Sequence, residues 1–451
     1  MALKNVQVLK GFRDYLPPEM MARQRMIEII TAVFRRFGFL PVDTPALEYA
    51  EILLGKYGAD CEKLLYRFTD NGGRDVCLRY DLTAPLGRFM AEHRGLEKPF
   101  KRYQVAAVWR AEKPGRGRFR EFFQCDVDIV GSSSPTADAE CIALDNAVMT
   151  ELGIERFLIR VNNRKILAGL ARLAGVAQDR EALFSRTLDK LESQGAETVR
   201  SLLQTEVGLE AEAIDRFLGA LELKGSNEEI LESLAERFQA VEVGRCGVEE
   251  LKAVLGRAAA FGVPAGRVAL DVSIARGLDY YTGTVFETSL LDLSGFGSVM
   301  SGGRYDELIG SFTGAPTPSV GISVGLDRLF AGLCELGLIR PGGAATKVYV
   351  APFGTDTLEA AIGVACRLRS ARISAEVSYE ADQKLKKLFK TAESKGIPLI
   401  CLMGSDEVAA GQVTLKRLAD GRQMRVPLAE LEGAVLELLE YPADKTAEGG
   451  S

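Results

Sequence analysis

Apolar residues recur at helical spacing near the start of the chain. In MMARQRMIEIITAVFRRFGF, Ile27, Ile30, Phe34 and Phe37 fall on one face and Gly38 follows as a C-cap, so the pattern predicts an amphipathic helix packed against the fold. The segment Leu40 to Leu47 (LPVDTPAL) holds two prolines and reads as extended chain at a strand edge or an interface. From about Lys63 to Gly131 the period changes. LLYRFTD, CLRYDL, KRYQVAAVWRAE and REFFQCDVDIVG are short apolar runs, several of them alternating, joined by NGGRD and KPGRGR, and they predict antiparallel strands. A helix is expected over about 137–152, followed by the strand FLIRVNN, and residues 164–262 read as almost wholly helical. Strand signals resume in VALDVSIARGLDYYTGTVFETSL and GFGSVMSGGRYDEL, and the block ends with SVGISVGLDRLFAGLCEL. After the linker IRPGGAATK, the runs KVYVAPF, ISAEVSY, PLICLMG and QVTLKRL alternate with helices at about 355–372 and 382–395 and a last helix.

This pattern predicts an α/β (α+β) protein of several parts, as a length of 451 residues requires. A large antiparallel-sheet domain is expected to run over 1–163 and 263–336, interrupted by a helical insertion at 164–262. A small mixed α/β domain follows at 346–441, and 442–451 is a tail expected to be disordered. Hydrophobic residues make up 47% and charged residues 26%, an ordinary globular balance. No run nears the roughly 20 apolar residues that span a bilayer, and the start lacks a signal-peptide core, so no membrane association and a cytoplasmic location are expected.

Eight cysteines are scattered with no C-x-x-C pair, and His93 is the one histidine, which argues against structural zinc and a disulfide framework. His93 sits in the polar stretch FMAEHRGLEKP and is given no role, which removes most histidine-dependent nucleophilic schemes. The net charge of −6 gives no global sign of a nucleic-acid partner, so any phosphate-binding surface must be local.

Four segments carry candidate chemistry. In VWRAEKPGRGRFREFFQCDVDIVG, a hairpin can aim Arg110, Arg116, Arg118 and Arg120 at one oxyanion-rich ligand; a solvated basic loop is the competing reading. Gln124, Asp126 and Asp128 alternate on the return strand, which sets an amide and two carboxyls on one side of a sheet beside the arginines. In IARGLDYYTGTVFE, Arg276 precedes a glycine that leaves room for a ligand. Tyr280 and Tyr281 point to opposite faces if the segment is extended, although strand phenols more often pack than bind. In SGGRYDEL and SVGISVGLDRLF, Gly302 and Gly303 can bring backbone close to a flat ligand, and Arg328 near a helix start can meet a phosphate or merely bridge elements. In LRYDLTAPLGRF, Asp81 and Thr83 suit an ammonium group, and Asp81 serves equally as a turn or helix cap.

In this order the segments resemble the signatures of the histidyl-tRNA synthetases. KGFRDYLPPE with the following helix and Pro45 is similar to class II motif 1, FKRYQVAAVWRAEKPGRGRFREFFQCDVDIVG to motif 2, and SVGISVGLDRLF to motif 3. ARGLDYYTGTVFE resembles the family's histidine-specific motif, the most selective of these signals, and the C-terminal domain resembles its anticodon-binding domain. The likeness covers most of residues 5–435 and is weakest in the insertion.

The resemblance implies a class II catalytic domain that activates histidine with ATP, accompanied by Mg²⁺, and transfers it to tRNA(His). It places Asp81, Thr83 and Gln124 around the substrate ammonium, and Asp128, Tyr280 and Tyr281 around the imidazole. Arg110 is assigned to the α-phosphate, Arg118 and Arg328 to the outer phosphates, with Glu112 also on the ATP side. Arg276 touches both the histidine carboxylate and the α-phosphate, so Arg276 and Arg110 are the catalytic pair. Glu112 and Glu121 are candidates for the metal, whose ligands stay unassigned. The resemblance also implies a homodimer through motif 1. Lys384, Lys386, Lys387, Lys390 and Lys395 give a local basic surface for RNA, or a solvated helix face. Two alternatives remain. One is a non-catalytic histidine sensor resembling the regulatory subunit of ATP phosphoribosyltransferase, a class that typically lacks the anticodon domain and an intact RGLDYY. The other is an RNA-binding protein with a degenerate synthetase core.

Overall fold

The computed structural model describes residues 6–56, 62–188, 191–274, 280–354, 356–381 and 383–440. Arg276, Cys61 and the tail expected to be disordered lie outside the described residues. The chain forms two compact units, one of Arg23–Ile339 together with Met1–Asp14, the other of Arg340–Ser451 together with Tyr15–Ala22.

In the first unit the strands are β1 (Leu40–Pro41), β2 (Leu47–Tyr49), β3 (Arg67–Thr69), β4 (Asp75–Leu78), β5 (Phe100–Trp109), β6 (Glu121–Val130), β7 (Phe157–Asn163), β8 (Val268–Leu270), β9 (Thr284–Leu290), β10 (Ser298–Arg304) and β11 (Ser319–Gly325). Eight of them make one sheet in the order β1-β5-β6-β11-β10-β9-β7-β8. The interior pairings are antiparallel, and the two outermost, β1 on β5 and β7 on β8, are parallel. A separate antiparallel sheet holds β2, β4 and β3.

The expected hairpin is present. Pairs run from Phe100 opposite Val130 to Trp109 opposite Glu121, with Gly115 and Arg118 bridged across the turn. Residues directly opposite share a face, so the register fixes which side chains meet.

One face of the large sheet is closed by the helix Pro135–Glu151, whose Ala137, Cys141, Ile142, Leu144, Val148 and Met149 are all buried. Ser134 starts this helix by accepting from the Thr136 amide at 3.2 Å, with Pro135 in the first turn where it costs no hydrogen bond. Helix Glu242–Ala260 packs against it and against Arg164–Leu173, both within the 164–262 segment, which is helical as expected. At the N-terminal side, helix Pro17–Arg36 buries Arg23, Met26, Ile30, Val33 and Phe34. The stripe is therefore rotated from the expected one: Ile27 is half-buried and Phe37 lies beyond the helix end, before Gly38 at φ +80°.

A second difference is the helix Thr83–Glu92, which stands between strands where short strand runs alone were expected. Asp81 Oδ1 accepts from the amides of Thr83 (3.0 Å) and Ala84 (3.1 Å). That local bond nucleates a turn, and Pro85 is tolerated so near the helix start.

The second unit has β12 (Val348–Pro352), β13 (Ala375–Val377), β14 (Leu399–Met403), β15 (Gln412–Arg417) and β16 (Gln423–Pro427) in the order β13-β12-β14-β15-β16. Its first three strands are parallel and the others antiparallel. Helices Leu358–Ser370 and Leu431–Glu440 cover one face, and Leu385–Ser394 covers the other through Leu388 and Ala392. Burial on both faces explains the uninterrupted apolar runs of β12 and β14.

Candidate active site

The floor of the site is a polar row read straight across the sheet. Gln104 on β5 lies opposite Asp126 on β6, Asp126 opposite Ser323 on β11, Ser323 opposite Ser301 on β10, Ser301 opposite Glu287 on β9, and Glu287 opposite Arg160 on β7. The next row is Arg102, Asp128, Gly321, Gly303 and Val285. Alternation on β6 thus brings Gln124, Asp126 and Asp128 to one face, as the sequence pattern implied.

Over this floor lies a cavity of about 220 Å³. Asp81, Thr83, Arg110, Gln124, Asp126, Asp128, Tyr280 and Tyr281 all line it. Asp128 Oδ2 is 2.6 Å from Arg102 Nη2, and Oδ1 accepts from the Tyr305 hydroxyl. Burial raises the Asp128 pKa, with Arg102 and Tyr305 opposing the rise. Asp81 is both cap and lining: Oδ1 holds the helix amides while Oδ2 accepts from the Tyr280 hydroxyl at 3.4 Å. The Tyr280 and Tyr281 rings meet edge to face at 5.0 Å between centroids. They precede β9 instead of extending it, so both reach the same cavity and the opposite-face geometry does not occur.

The glycines also make room within the sheet. A Cβ on Gly303 would stand 2.9 Å from the Tyr281 ring, and one on Gly302 would meet the Gly321 carbonyl and Phe286. The place of each missing side chain is filled by the protein's own groups, while Gly302 also lines the cavity.

A second cavity, of about 160 Å³, adjoins the first and shares Arg110, Gln124, Ser301 and Ser323 with it. Glu112, Arg118 and Arg328 line it. Arg110 is fixed by donating from Nε to the Tyr80 carbonyl (3.1 Å) and by stacking over Tyr80 at 4.3 Å and Phe122 at 5.1 Å. Arg118 is 3.2 Å from Glu112, and Arg328 donates to the Ser298 carbonyl at 3.0 Å. Burial, then repulsion from Arg118 and Arg110, lowers the Arg328 pKa. Arg110, Arg118 and Arg328 outnumber Glu112 and Asp327 in this lining, and Asp327 is engaged by Arg13 and Arg23, so the cavity favours an anion.

Asp327, next to Arg328, anchors this wall. Its Oδ1 takes Arg23 (2.5 Å) and Arg13 (3.1 Å), and its Oδ2 takes the Phe123 amide (2.7 Å).

Three residues of the hairpin segment stay outside both linings. Arg116 pairs with Glu335, Arg120 donates to the carbonyls of Glu112 (3.1 Å) and Lys10 (3.2 Å), and Glu121 accepts from the Trp109 indole at 3.1 Å. Glu121, one of the two metal candidates, thus lines neither cavity. Among the described residues no group of three or more His, Cys, Asp or Glu is arranged to hold a metal ion. Sequence reasoning passed over Arg102, Glu287, Ser301, Tyr305 and Ser323. Glu287, Ser301, Tyr305 and Ser323 lie on or beside strands whose pairing the sequence does not reveal, whereas Arg102 lies opposite Asp128 on the expected hairpin.

A family model described as histidyl-tRNA synthetase matches residues 11–329, and one described as anticodon binding domain matches residues 347–438. A curated relative from Rhodopirellula baltica named histidine–tRNA ligase is 44% identical over 436 residues, covering 96% of this chain and 98% of its own. The crystal structure of a histidyl-tRNA synthetase from a Nostoc species superposes with a TM-score of 0.84 at 33% identity, covering 96% of this chain and 99% of that one. A Bacillus halodurans structure titled as an ATP phosphoribosyltransferase regulatory subunit/histidyl-tRNA synthetase shares the fold at TM-score 0.74 and 23% identity, over 89% of this chain and 100% of that one. With two adjoining cavities built from the signature segments, and family likeness extending across both units, the chain belongs to the histidyl-tRNA synthetase family of aminoacyl-tRNA synthetases.

Proposed function

We propose that this protein activates histidine with ATP and transfers the histidyl group to the 3′ end of tRNA(His), as the family name implies. The observation that carries the reading is the common wall of the two cavities, Arg110, Gln124, Ser301 and Ser323, between a chamber of acids and phenols and a chamber of guanidiniums.

Asp81, Thr83 and Gln124 receive the ammonium. Tyr280 and Tyr281 enclose the imidazole, and Asp128, its oxygens already oriented by Arg102 and Tyr305, accepts from an imidazole N–H with a remaining lone pair. Arg110 binds the α-phosphate, and Arg118 and Arg328 bind the outer phosphates, with Glu112 holding Arg118 in place. Arg276 is assigned to the histidine carboxylate and the α-phosphate by family likeness.

The reaction joins a carboxylate oxygen to the α-phosphorus and expels pyrophosphate, so both reactants are anionic and no protein nucleophile is needed. The residues position the reactants, neutralise them and stabilise charge in the transition state. A hydroxyl of the terminal tRNA ribose then takes the histidyl group and releases AMP. Mg²⁺ would supply further neutralisation of the phosphates. Glu112 is the acid best situated to approach it, and phosphate oxygens would be its main ligands.

In the second unit, exposed Lys384, Lys386, Lys387, Lys390 and Lys395 on and beside helix Leu385–Ser394 are assigned to the RNA backbone, with Tyr379, 89% exposed, as a stacking surface for a base. Exposed Leu47, Tyr49 and Phe68 on the small sheet fit the homodimer expected through motif 1. The boundaries 1–163, 164–262, 263–336 and 346–441, and a cytoplasmic site of action, complete the reading.

The test is ATP–pyrophosphate exchange with a panel of amino acids. Exchange with histidine alone is expected, and Arg110→Ala should lower it at least a hundredfold. Equal exchange with other amino acids overturns the substrate. No exchange at all favours the histidine sensor.

A further inference from the structure

The amino-acid chamber holds one more acid than the assigned roles use. Asp126 stands on β6 between Gln124 and Asp128, is 3% exposed, and lines the cavity. Among the described residues, three buried acceptors lining this chamber have no hydrogen-bond partner: Asp126 Oδ1, Gln124 Oε1 and Asp128 Oδ2. Gln124 is oriented by donating its Nε2 to Ser323 at 2.7 Å, which fixes Oε1 as the remaining, unused side of the amide. Asp128 differs, because its Oδ2 is already neutralised by the Arg102 guanidinium in an ion pair at 2.6 Å and its Oδ1 accepts from Tyr305.

A buried acceptor without a partner is costly unless a ligand supplies the missing donor. An ammonium group presents three N–H donors in a fixed tripod. Asp81 Oδ2, Gln124 Oε1 and Asp126 Oδ1 make three acceptors. We infer that Asp126 is a further substrate-binding residue, its Oδ1 taking one N–H of the α-ammonium of the bound amino acid. The inference rests on the proposed use of this chamber for histidine and adds a specificity element to it: a substrate without the amino group leaves a buried carboxylate unpaired.

The surroundings set how this contact depends on pH. Arg102 and Arg79 act on Asp126 as cations, Asp128 and Asp81 as like charges, and Ser323 and Tyr281 stand beside it. Burial dominates and pushes the Asp126 carboxyl up to about 7, with Arg102 and Ser323 opposing and Asp128 and Asp81 adding. In the empty chamber near neutrality Asp126 thus holds a proton part of the time. Binding of the ammonium ionises it, and that proton leaves to solvent.

Two measurements test the role. In the first, Asp126→Asn is compared with the parent protein in histidine-dependent pyrophosphate exchange. At pH 8 the KM for histidine should rise about tenfold, the size of one hydrogen bond to a charged group, while kcat and the KM for ATP change little. At pH 6, where Asp126 in the parent is itself protonated, the difference should shrink to about threefold or less. A histidine KM within twofold of the parent at pH 8, or a difference equal at both pH values, overturns the inference.

The second measurement needs no variant. Histidinol, which keeps ammonium and imidazole, and imidazolepropionate, which lacks the ammonium, are compared as inhibitors of the parent protein. From pH 6 to 8 histidinol should tighten more than imidazolepropionate; equal changes, or a reversed order, reject the contact. Absence of histidine-dependent exchange in the parent protein would sink the proposed function itself, whereas normal exchange with an unshifted variant sinks the role of Asp126 alone.

Discussion

Gly321 carries no side chain because a carboxylate occupies the place one would take: a Cβ there would lie 2.1 Å from Asp128 Oδ1. Gly321→Ala should therefore push Asp128 off Arg102, with a stability cost on the order of 3 kcal/mol for a disturbed buried ion pair and a large rise in the histidine KM. Urea unfolding and exchange kinetics check both. A second buried acid, Asp145, lies away from the site, where Thr288 donates to it and burial pushes it up to about 7 from an ordinary 3.8. Its folded pKa lies above the unfolded one, so between about pH 4 and 7 the unfolded chain loses this proton first. Stability from this group falls across that window and is level above it. Asp145→Asn should gain stability over the parent at pH 8 and match it at pH 4, as read by urea midpoints at the two values.

At the level of elements, the helix Thr83–Glu92 depends on a side chain that also faces the chamber. The two duties of Asp81 separate by substitution. Asp81→Asn keeps an oxygen for the amides of Thr83 and Ala84 and loses only the charge, so it should weaken histidine binding with little loss of stability. Asp81→Ala loses the cap as well, at about 1 kcal/mol more, which thermal unfolding of the two variants compares.

The helix was not legible beforehand because its first turn is set by this one local bond, while LRYDL continues the β-like period of the preceding strand. The hairpin β5–β6, the strand FLIRVNN and the helical stretch 164–262 were legible, since each has a sustained period of its own. Motif segments found Asp81, Thr83, Arg110, Glu112, Arg118, Gln124, Asp128, Tyr280, Tyr281 and Arg328, all of which line the two cavities. Ser301, Ser323 and Glu287 were missed for a physical reason: their approach to Asp126 follows from strand order and register, and non-local pairing leaves no trace in local spacing. Tyr280 and Tyr281 were found, and the opposite facing expected of an extended segment does not arise because they precede β9.

For the whole molecule, a net charge of −6 coexists with a cationic chamber in one unit and a lysine-bearing helix in the other. Anion binding is thus a matter of local clustering, with acids elsewhere holding the total negative. Lys387 and Lys395 pair with Glu380 and Glu376, and these exposed pairs contribute little to stability. Replacing Lys384, Lys386 and Lys390 by Glu should leave pyrophosphate exchange unchanged. It should raise the KM for tRNA in aminoacylation and flatten its dependence on salt, because fewer counterions are released on binding.

The partition between the two chambers has a consequence for how the substrates sense each other. Gln124 and Ser323, joined by a hydrogen bond, border both compartments, so whichever guest arrives first stiffens a boundary that the second also needs. Thermodynamic linkage then demands symmetry: the factor by which bound nucleotide tightens the amino acid must equal the factor by which the amino acid tightens the nucleotide.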